Sequence, residues 1–280
     1  MVKLSKFSKK FICKGIIVIS IITFSILFGF IPISHNVADA SGGSSFIVAN
    51  CDTMDIYKEF NSHQKLPMAS TTKIVTALIA LENCKLNEKV VIPKEAVGIE
   101  GSSIYLRENE EFTLEELLYG LMLRSGNDAS VAIAIHTAGS LENFINMMNC
   151  YAEIHNLSDT HFTNPNGLPD DEHYTSAYDL LKISCIAMQN EQFKKIVGTK
   201  TISIGKNEST RYLKNKNKIL TELDGGNGIK TGYTKKAGRC LVSSCERDGV
   251  CMVCVVLNRG DMWGESKHLL NYAFECYLEN

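Results

Sequence analysis

Apolar positions recur along this chain in two rhythms, and the switch between them outlines the elements. Ile74, Val75, Leu78 and Ile79 share one face at helical spacing, which predicts a helix from about Ser70 to Glu82. Thr113-Leu114-Glu115-Glu116 has the form of a capping box and predicts a second helix ending near Arg124. Two more are expected over Asp128–Thr137 and Leu141–Ile154, with Gly139 as the stop between them. Ser176–Gln189 and Glu265–Leu278 complete the helical set.

The period-two segments lie at the two ends. Phe46–Ala49 and Met54–Phe60 read as early strands; Thr199–Ile204, Gly228–Thr231, Cys240–Cys245 and Val250–Leu257 read as late ones. Val250–Leu257 is apolar on both alternating faces, the pattern of a central strand covered by helices on each side. Asp248-Gly249 predicts a tight hairpin turn leading into it. Strands at both ends with helices between them predict an α+β fold whose sheet joins distant segments, with a helical lobe over about residues 85–195. No internal repeat interrupts this plan, and Asn164-Pro165-Asn166-Gly167 is a turn cluster.

Charge adds a leader to the picture. Lys3, Lys6, Lys9, Lys10 and Lys14 precede an uncharged run from Gly15 to Ala38, and Ala38-Asp39-Ala40 follows. Residues 1–40 therefore read as an export signal. The same run, if retained, is long enough to anchor in roughly 30 Å of hydrocarbon. Either way the body, residues 41–280, is expected outside the cytoplasm. The chain has 29 Lys+Arg and 31 Asp+Glu; the leader holds five and one of these, leaving 24 and 30. With no basic surplus, a nucleic-acid partner is not expected. Charged residues at 21%, with only 5 Pro, exclude a disordered or collagenous chain.

Nine of the 10 Cys follow Ala40, an odd number that forbids complete internal pairing. Cys84, Cys150 and Cys185 lie in or beside apolar helical patterns and read as small hydrophobes. Cys251 and Cys254 form a C-x-x-C, yet strand alternation sends them to opposite faces, and no ligand-spaced His accompanies them. No metal is expected there. His173, in Asp170-Asp171-Glu172-His173, reads as part of a solvated loop.

Ser70-Thr71-Thr72-Lys73 is S-x-x-K, and helical spacing brings a residue and its third neighbour onto one face. An amine there can take the hydroxyl proton as the oxygen attacks a carbonyl. A helix N-terminus and nearby cations lower the lysine pKa toward that role. By itself the motif carries little weight, since Ser62…Lys65 and Ser203…Lys206 repeat it. Ser125-Gly126-Asn127 supplies S-x-N at a junction of two helices, and Lys230-Thr231-Gly232 supplies K-T-G at a strand edge. The three motifs in this order form the signature of penicillin-recognising serine enzymes.

On these motifs the chain resembles the D-alanyl-D-alanine carboxypeptidases, the low-molecular-weight penicillin-binding proteins, over about residues 44–277. Pro67-Met68-Ala69 before Ser70, the Leu123–Ala129 stretch, Asn164–Leu168 and Gly228–Thr234 look like that family's blocks. The resemblance implies a β-lactamase/penicillin-binding transpeptidase-like fold, mostly antiparallel sheet flanked by helices. It implies Ser70 as the acylated nucleophile, Lys73 as its general base and Ser125 as proton relay to the leaving D-alanine. Asn127 would bind the substrate amide, and Lys230 with Thr231 the terminal carboxylate. Backbone N–H groups of Ser70 and Tyr233 would form the oxyanion hole. The implied partners are a peptidoglycan stem peptide and β-lactam antibiotics, with no cofactor and no metal.

A class A-like β-lactamase shares these motifs but also needs a deacylating Glu on an E-x-x-x-N loop. Between Asn127 and Lys230 that spacing occurs only at Glu142…Asn146, inside a predicted helix and too early for the loop. Glu142 thus reads as a solvated first-turn acid. A D,D-endopeptidase and a non-enzymatic β-lactam sensor carry the same motifs. Arg239 reads as a charge at a strand edge.

Overall fold

The computed structural model describes residues 43–279, so the expected leader over residues 1–40 lies outside the described residues. In chain order the elements are β1 (Ser45–Asn50), β2 (Ile56–Phe60), a short 3₁₀ turn (Ala69–Thr72), α1 (Lys73–Asn83), β3 (Lys89–Val91), β4 (Glu111–Thr113), α2 (Leu114–Arg124) and α3 (Asn127–Ala138). Next come α4 (Leu141–Ile154), α5 (Ala177–Met188), α6 (Glu191–Gly198), β5 (Thr201–Ile204), β6 (Arg211–Lys214) and α7 (Ile219–Glu222). The chain closes with β7 (Gly226–Thr234), β8 (Gly238–Arg247), β9 (Val250–Leu257) and α8 (Met262–Leu278).

One antiparallel sheet, in the order β2-β1-β9-β8-β7, joins the first strands to the last. Its centre is β9, whose apolar alternation feeds two cores. Cys251, Val253, Val255 and Leu257 face the core shared with α1, α2, α3 and α5. Met252, Cys254 and Val256 face the core formed with Leu269, Leu270, Ala273 and Phe274 of α8. The two Cys of the C-x-x-C therefore point to opposite faces, as strand geometry requires.

Local chemistry sets the element ends. The capping box at Thr113 forms, with Thr113 Oγ1 accepting from Glu116 N and the Glu116 carboxylate accepting from Thr113 N. Ser140, Ser176 and Asp261 cap α4, α5 and α8 through their side-chain oxygens. Gly139 ends α3 at φ 78°, a left-handed cap that costs glycine nothing. Asp248 and Gly249 both take positive φ, 51° and 78°, and turn β8 into β9.

The sequence pattern missed the smallest elements. β3 and β4 pair over three residues each, and β6 has four, too few for alternation to register, whereas β5 falls within the expected Thr199–Ile204 strand. The predicted helix from Ser70 opens instead as a 3₁₀ turn, and Lys73 is the first residue of α1. Among the described residues no helix is long and apolar enough to cross a membrane.

Candidate active site

Ser70 lies in the 3₁₀ turn, which its own neighbours hold closed: Thr71 Oγ1 donates to Met68 O at 2.6 Å and Thr72 Oγ1 to Ala69 O at 2.8 Å. Three residues on, Lys73 Nζ lies 3.1 Å from Ser70 Oγ. The same amine is 2.7 Å from Asn127 Oδ1 and 2.5 Å from Asn166 O. Asn127 Nδ2 donates to Glu100 O at 2.5 Å, which fixes the orientation of that amide. Both oxygens facing Lys73 can only accept. A neutral amine gives its two hydrogens to them and keeps its lone pair for the Ser70 hydroxyl.

Electrostatics favours that neutral form. Burial pushes the Lys73 pKa well below its ordinary 10.5; Lys230 and Lys216 push it down further, and Asp128 opposes them. Among the described residues its hydrogen-bond partners include no carboxylate.

The second motif sits where α2 hands over to α3. Ser125 takes a left-handed conformation, φ 63°, at the C-cap of α2, and Asn127 opens α3 with its N–H on Ser102 O at 2.7 Å. Buried Asp128 accepts from the N–H groups of Ile104 and Leu106 and from Ser103 Oγ. From the other side Arg211, paired with Glu110 at 2.6 Å, donates to the carbonyls of Ile104 and Tyr105. These bonds fix the strip that carries Ser102.

β7 brings the third motif against Ser70. A Cβ on Gly232 would lie 3.1 Å from both Ser70 N and Ala69 Cβ, so glycine lets the strand run this close. Gly167 is tighter still: at φ 83° its Cβ would fall 1.9 Å from Ala69 O and 2.9 Å from Ser70 N. Gly167→Ala is therefore expected to displace the turn, destabilise the fold by about 1–3 kcal/mol and slow acylation of Ser70. Thermal unfolding and penicillin-labelling rates check this; wild-type values in both would show that the turn has slack. Lys230 is buried and donates to Thr231 O at 2.8 Å, with its pKa lowered to about 7 by burial and then by Lys216.

A cleft of about 320 Å³ opens over these groups. Ser70, Ser125, Thr231, Gly232 and Tyr233 line it, together with four residues the motifs did not single out as cleft residues: Ser102, Lys216, Met262 and Trp263. None of these side chains is a carboxylate. A larger surface hollow of about 530 Å³ along Glu59–Gln64 gathers no such grouping.

Asn127 and Lys230 sit behind the cleft wall, close to Lys73, while Tyr233 is 65% exposed at its rim. Glu142 and Asn146 are exposed on α4, and Arg239 is exposed on β8 with Nη1 on Gly260 O. Lys216 carries no sequence signature because it lies in a polar stretch, Lys214–Lys218, with no recognisable spacing to the three motifs.

His173 requires a correction. It is not solvated: it is 3% exposed, its Nδ1 accepts from Thr163 N at 3.0 Å, and its Nε2 lies 2.8 Å from Thr72 Oγ1. Since Nδ1 accepts, Nε2 carries the hydrogen and donates to Thr72. Burial lowers its pKa to about 4 and keeps it neutral. The acidic run before it suggested water, but the bridges Leu66–Thr175 and His161–Tyr174 fold that loop back onto the Ser70 turn.

An antiparallel sheet between helical layers, with three separated motifs gathered around one serine and a buried lysine, defines the class of penicillin-binding serine peptidases. The family model described as D-alanyl-D-alanine carboxypeptidase matches residues 34–260, and the chain belongs to that family. It is 34% identical to the Bacillus subtilis D-alanyl-D-alanine carboxypeptidase DacF over 85% of this chain, and spans 64% of that relative's length. A Streptomyces D-alanyl-D-alanine carboxypeptidase is also 34% identical, over 73% of this chain and 78% of its own. Among solved structures, a variant of a Streptomyces DD-transpeptidase superposes with TM-score 0.78 at 31% identity, covering 82% of this chain and 97% of that one. The Francisella tularensis D-alanyl-D-alanine carboxypeptidase DacD gives 0.77 at 27% identity, covering 82% and 70%.

Proposed function

We propose that this protein is a serine D-alanyl-D-alanine carboxypeptidase that removes the terminal D-alanine from peptidoglycan stem peptides outside the cytoplasm, and that penicillin acylates the same serine. The observation that carries this reading is the 3.1 Å approach to Ser70 Oγ of a buried lysine whose hydrogen-bond partners among the described residues include no carboxylate. In the reaction, Ser70 Oγ attacks the carbonyl of the penultimate residue and passes its proton to Lys73. The developing oxyanion is met by the backbone N–H groups of Ser70 and Tyr233. Ser125, on the cleft wall, relays a proton to the departing amine, and water then hydrolyses the acyl-enzyme. Asn127 serves here by orienting Lys73, since both ends of its amide are engaged. A fast β-lactamase is disfavoured because Glu142 stands in solvent on α4 and, among the described residues, no carboxylate lines the cleft.

The terminal carboxylate is expected to meet Lys230 and Thr231, with Lys216 adding positive potential from the wall. A charge-assisted contact of this kind is worth roughly 1.5–3 kcal/mol. Lys230→Ala should then lower kcat/KM on a pentapeptide free acid by about 10- to 100-fold, and on the matching amide much less. The pH profile gives an independent reading. With its pKa lowered to about 7, Lys230 in the free enzyme is charged below that pH and loses its charge above it. Free-acid kcat/KM should therefore fall above about pH 7, while the amide keeps only the limb that rises as Lys73 becomes neutral. Assaying release of D-alanine from the acid and of D-alaninamide from the amide across pH tests this. Equal losses on acid and amide, or identical profiles, would remove Lys230 from carboxylate recognition, and no release of D-alanine at all would overturn the proposed activity.

A further inference from the structure

The helices that carry the first two motifs meet twice. At their N-terminal ends Lys73 Nζ, on α1, is 2.7 Å from Asn127 Oδ1, on α3. At their C-terminal ends Cys84, the C-cap of α1, and His136, in the last turn of α3, meet again with Glu88 between them. Cys84 Sγ, a Glu88 carboxylate oxygen and a His136 ring nitrogen all lie within 4.8 Å of one another. We propose that Cys84, Glu88 and His136 form a Zn²⁺ site, remote from Ser70, that ties the C-terminal ends of α1 and α3 together.

The donor set is a thiolate, an imidazole and a carboxylate, the combination that suits zinc better than hard cations such as Mg²⁺ or Ca²⁺. A tetrahedral zinc with bonds of about 2.0–2.3 Å spaces its ligands by roughly 3.3–3.7 Å, within reach of side-chain adjustments here. The Glu88 carboxylate is already oriented. Its Oε1 accepts from Lys85 N at 2.8 Å, and its Oε2 lies 3.1 Å from His136 Nε2. That second bond is the one a metal would replace. The turn bearing Glu88 is itself pinned, because Glu88 O accepts from Leu114 N at 2.9 Å. Side-chain exposures of 23% for His136 and 40% for Glu88 leave an entry path and room for water as the fourth ligand. On binding, the Cys84 thiol gives up its proton and the sulfur becomes the ligand; no electron changes hands. The sequence hid this grouping because Glu88 lies four positions after Cys84 and His136 a further 48 positions on.

The test is a metal titration of the purified protein, stripped with a chelator and kept reduced with a phosphine. Zn²⁺ is read by competition with a chromophoric chelator, and Co²⁺ by its thiolate-to-cobalt charge-transfer band. One tight equivalent of Zn²⁺ and a cobalt–thiolate band are expected. Cys84→Ser should abolish the band, and His136→Ala should weaken Zn²⁺ binding by about 100-fold or more, beyond the loss usual for an outer partner. Cys150→Ser, an exposed thiol elsewhere on the chain, should change neither. Penicillin labelling serves as a check that each variant is folded. Should Cys84→Ser misfold, His136→Ala and Glu88→Gln still decide, because a site elsewhere would keep full affinity in both. Absence of a tight equivalent in the wild type, or an equivalent insensitive to these substitutions, overturns the site. Neither outcome bears on Ser70 chemistry.

Discussion

Ser70→Ala is expected to abolish covalent labelling by a fluorescent penicillin and to lower D-alanine release on the order of 10⁴- to 10⁶-fold, the loss seen when a covalent nucleophile is removed. The fold should survive. The hydroxyl sits on a cleft wall and its bond is to Lys73, so its loss costs about 1 kcal/mol of net hydrogen bonding. Far-UV circular dichroism and the thermal midpoint should therefore stay close to wild type. Intact-mass spectrometry after exposure to penicillin gives the decisive reading: an adduct at full stoichiometry on the alanine variant would place the nucleophile elsewhere.

Lys73→Met should be nearly as damaging by a different route. Methionine fills the space without supplying a base, so acylation should slow by about 10²- to 10⁴-fold. β-Lactams would still bind, but reversibly. The wild-type profile carries the complementary sign. Because burial and neighbouring lysines hold the Lys73 pKa well below 10.5, the neutral amine is already available at pH values where a solvated lysine would be fully charged. Acylation should thus rise with pH through that lowered pKa and level off well before 10.5. The methionine variant should show no such limb. Stopped-flow labelling across pH measures both, and a wild-type rate in Lys73→Met would strip the residue of its role.

Much of this architecture is legible in the chain because it rests on strong local signals. The all-apolar run Val250–Leu257 marks the sheet centre, and the threonine–glutamate reciprocity at Thr113 marks the start of α2. Asp248-Gly249 marks a turn through two positive φ angles. What stayed hidden depends on contacts between distant segments. His173 follows three acidic residues and looks wet, yet the loop folds back to place it on Thr72, 101 residues away. Lys216 and Trp263 reach the cleft from a polar loop and from the first turn of α8, where spacing carries no information. Asn127 reads as a substrate contact from its motif, and its 2.7 Å contact with Lys73, on another helix 54 positions earlier, has no signature in the spacing.

Among the described residues the cleft wall bears no negative side chain, while Lys216 lines it and Lys230 lies buried behind it. The N-terminal ends of α1 and α3 point there too, and each adds a partial positive charge. The chain beyond residue 40 carries 24 basic side chains against 30 acidic ones. The result is a positive well set in a negative exterior, and low-dielectric walls focus such a field outward. On the proposed function, anionic peptide ends should be drawn toward Ser70 from beyond contact distance. Salt shortens the reach of that field, to about 10 Å at 0.1 M and about 3 Å at 1 M. Ionic strength is therefore expected to act as a selectivity dial: as it rises, capture of acidic peptide ends should slow while capture of uncharged analogues stays level.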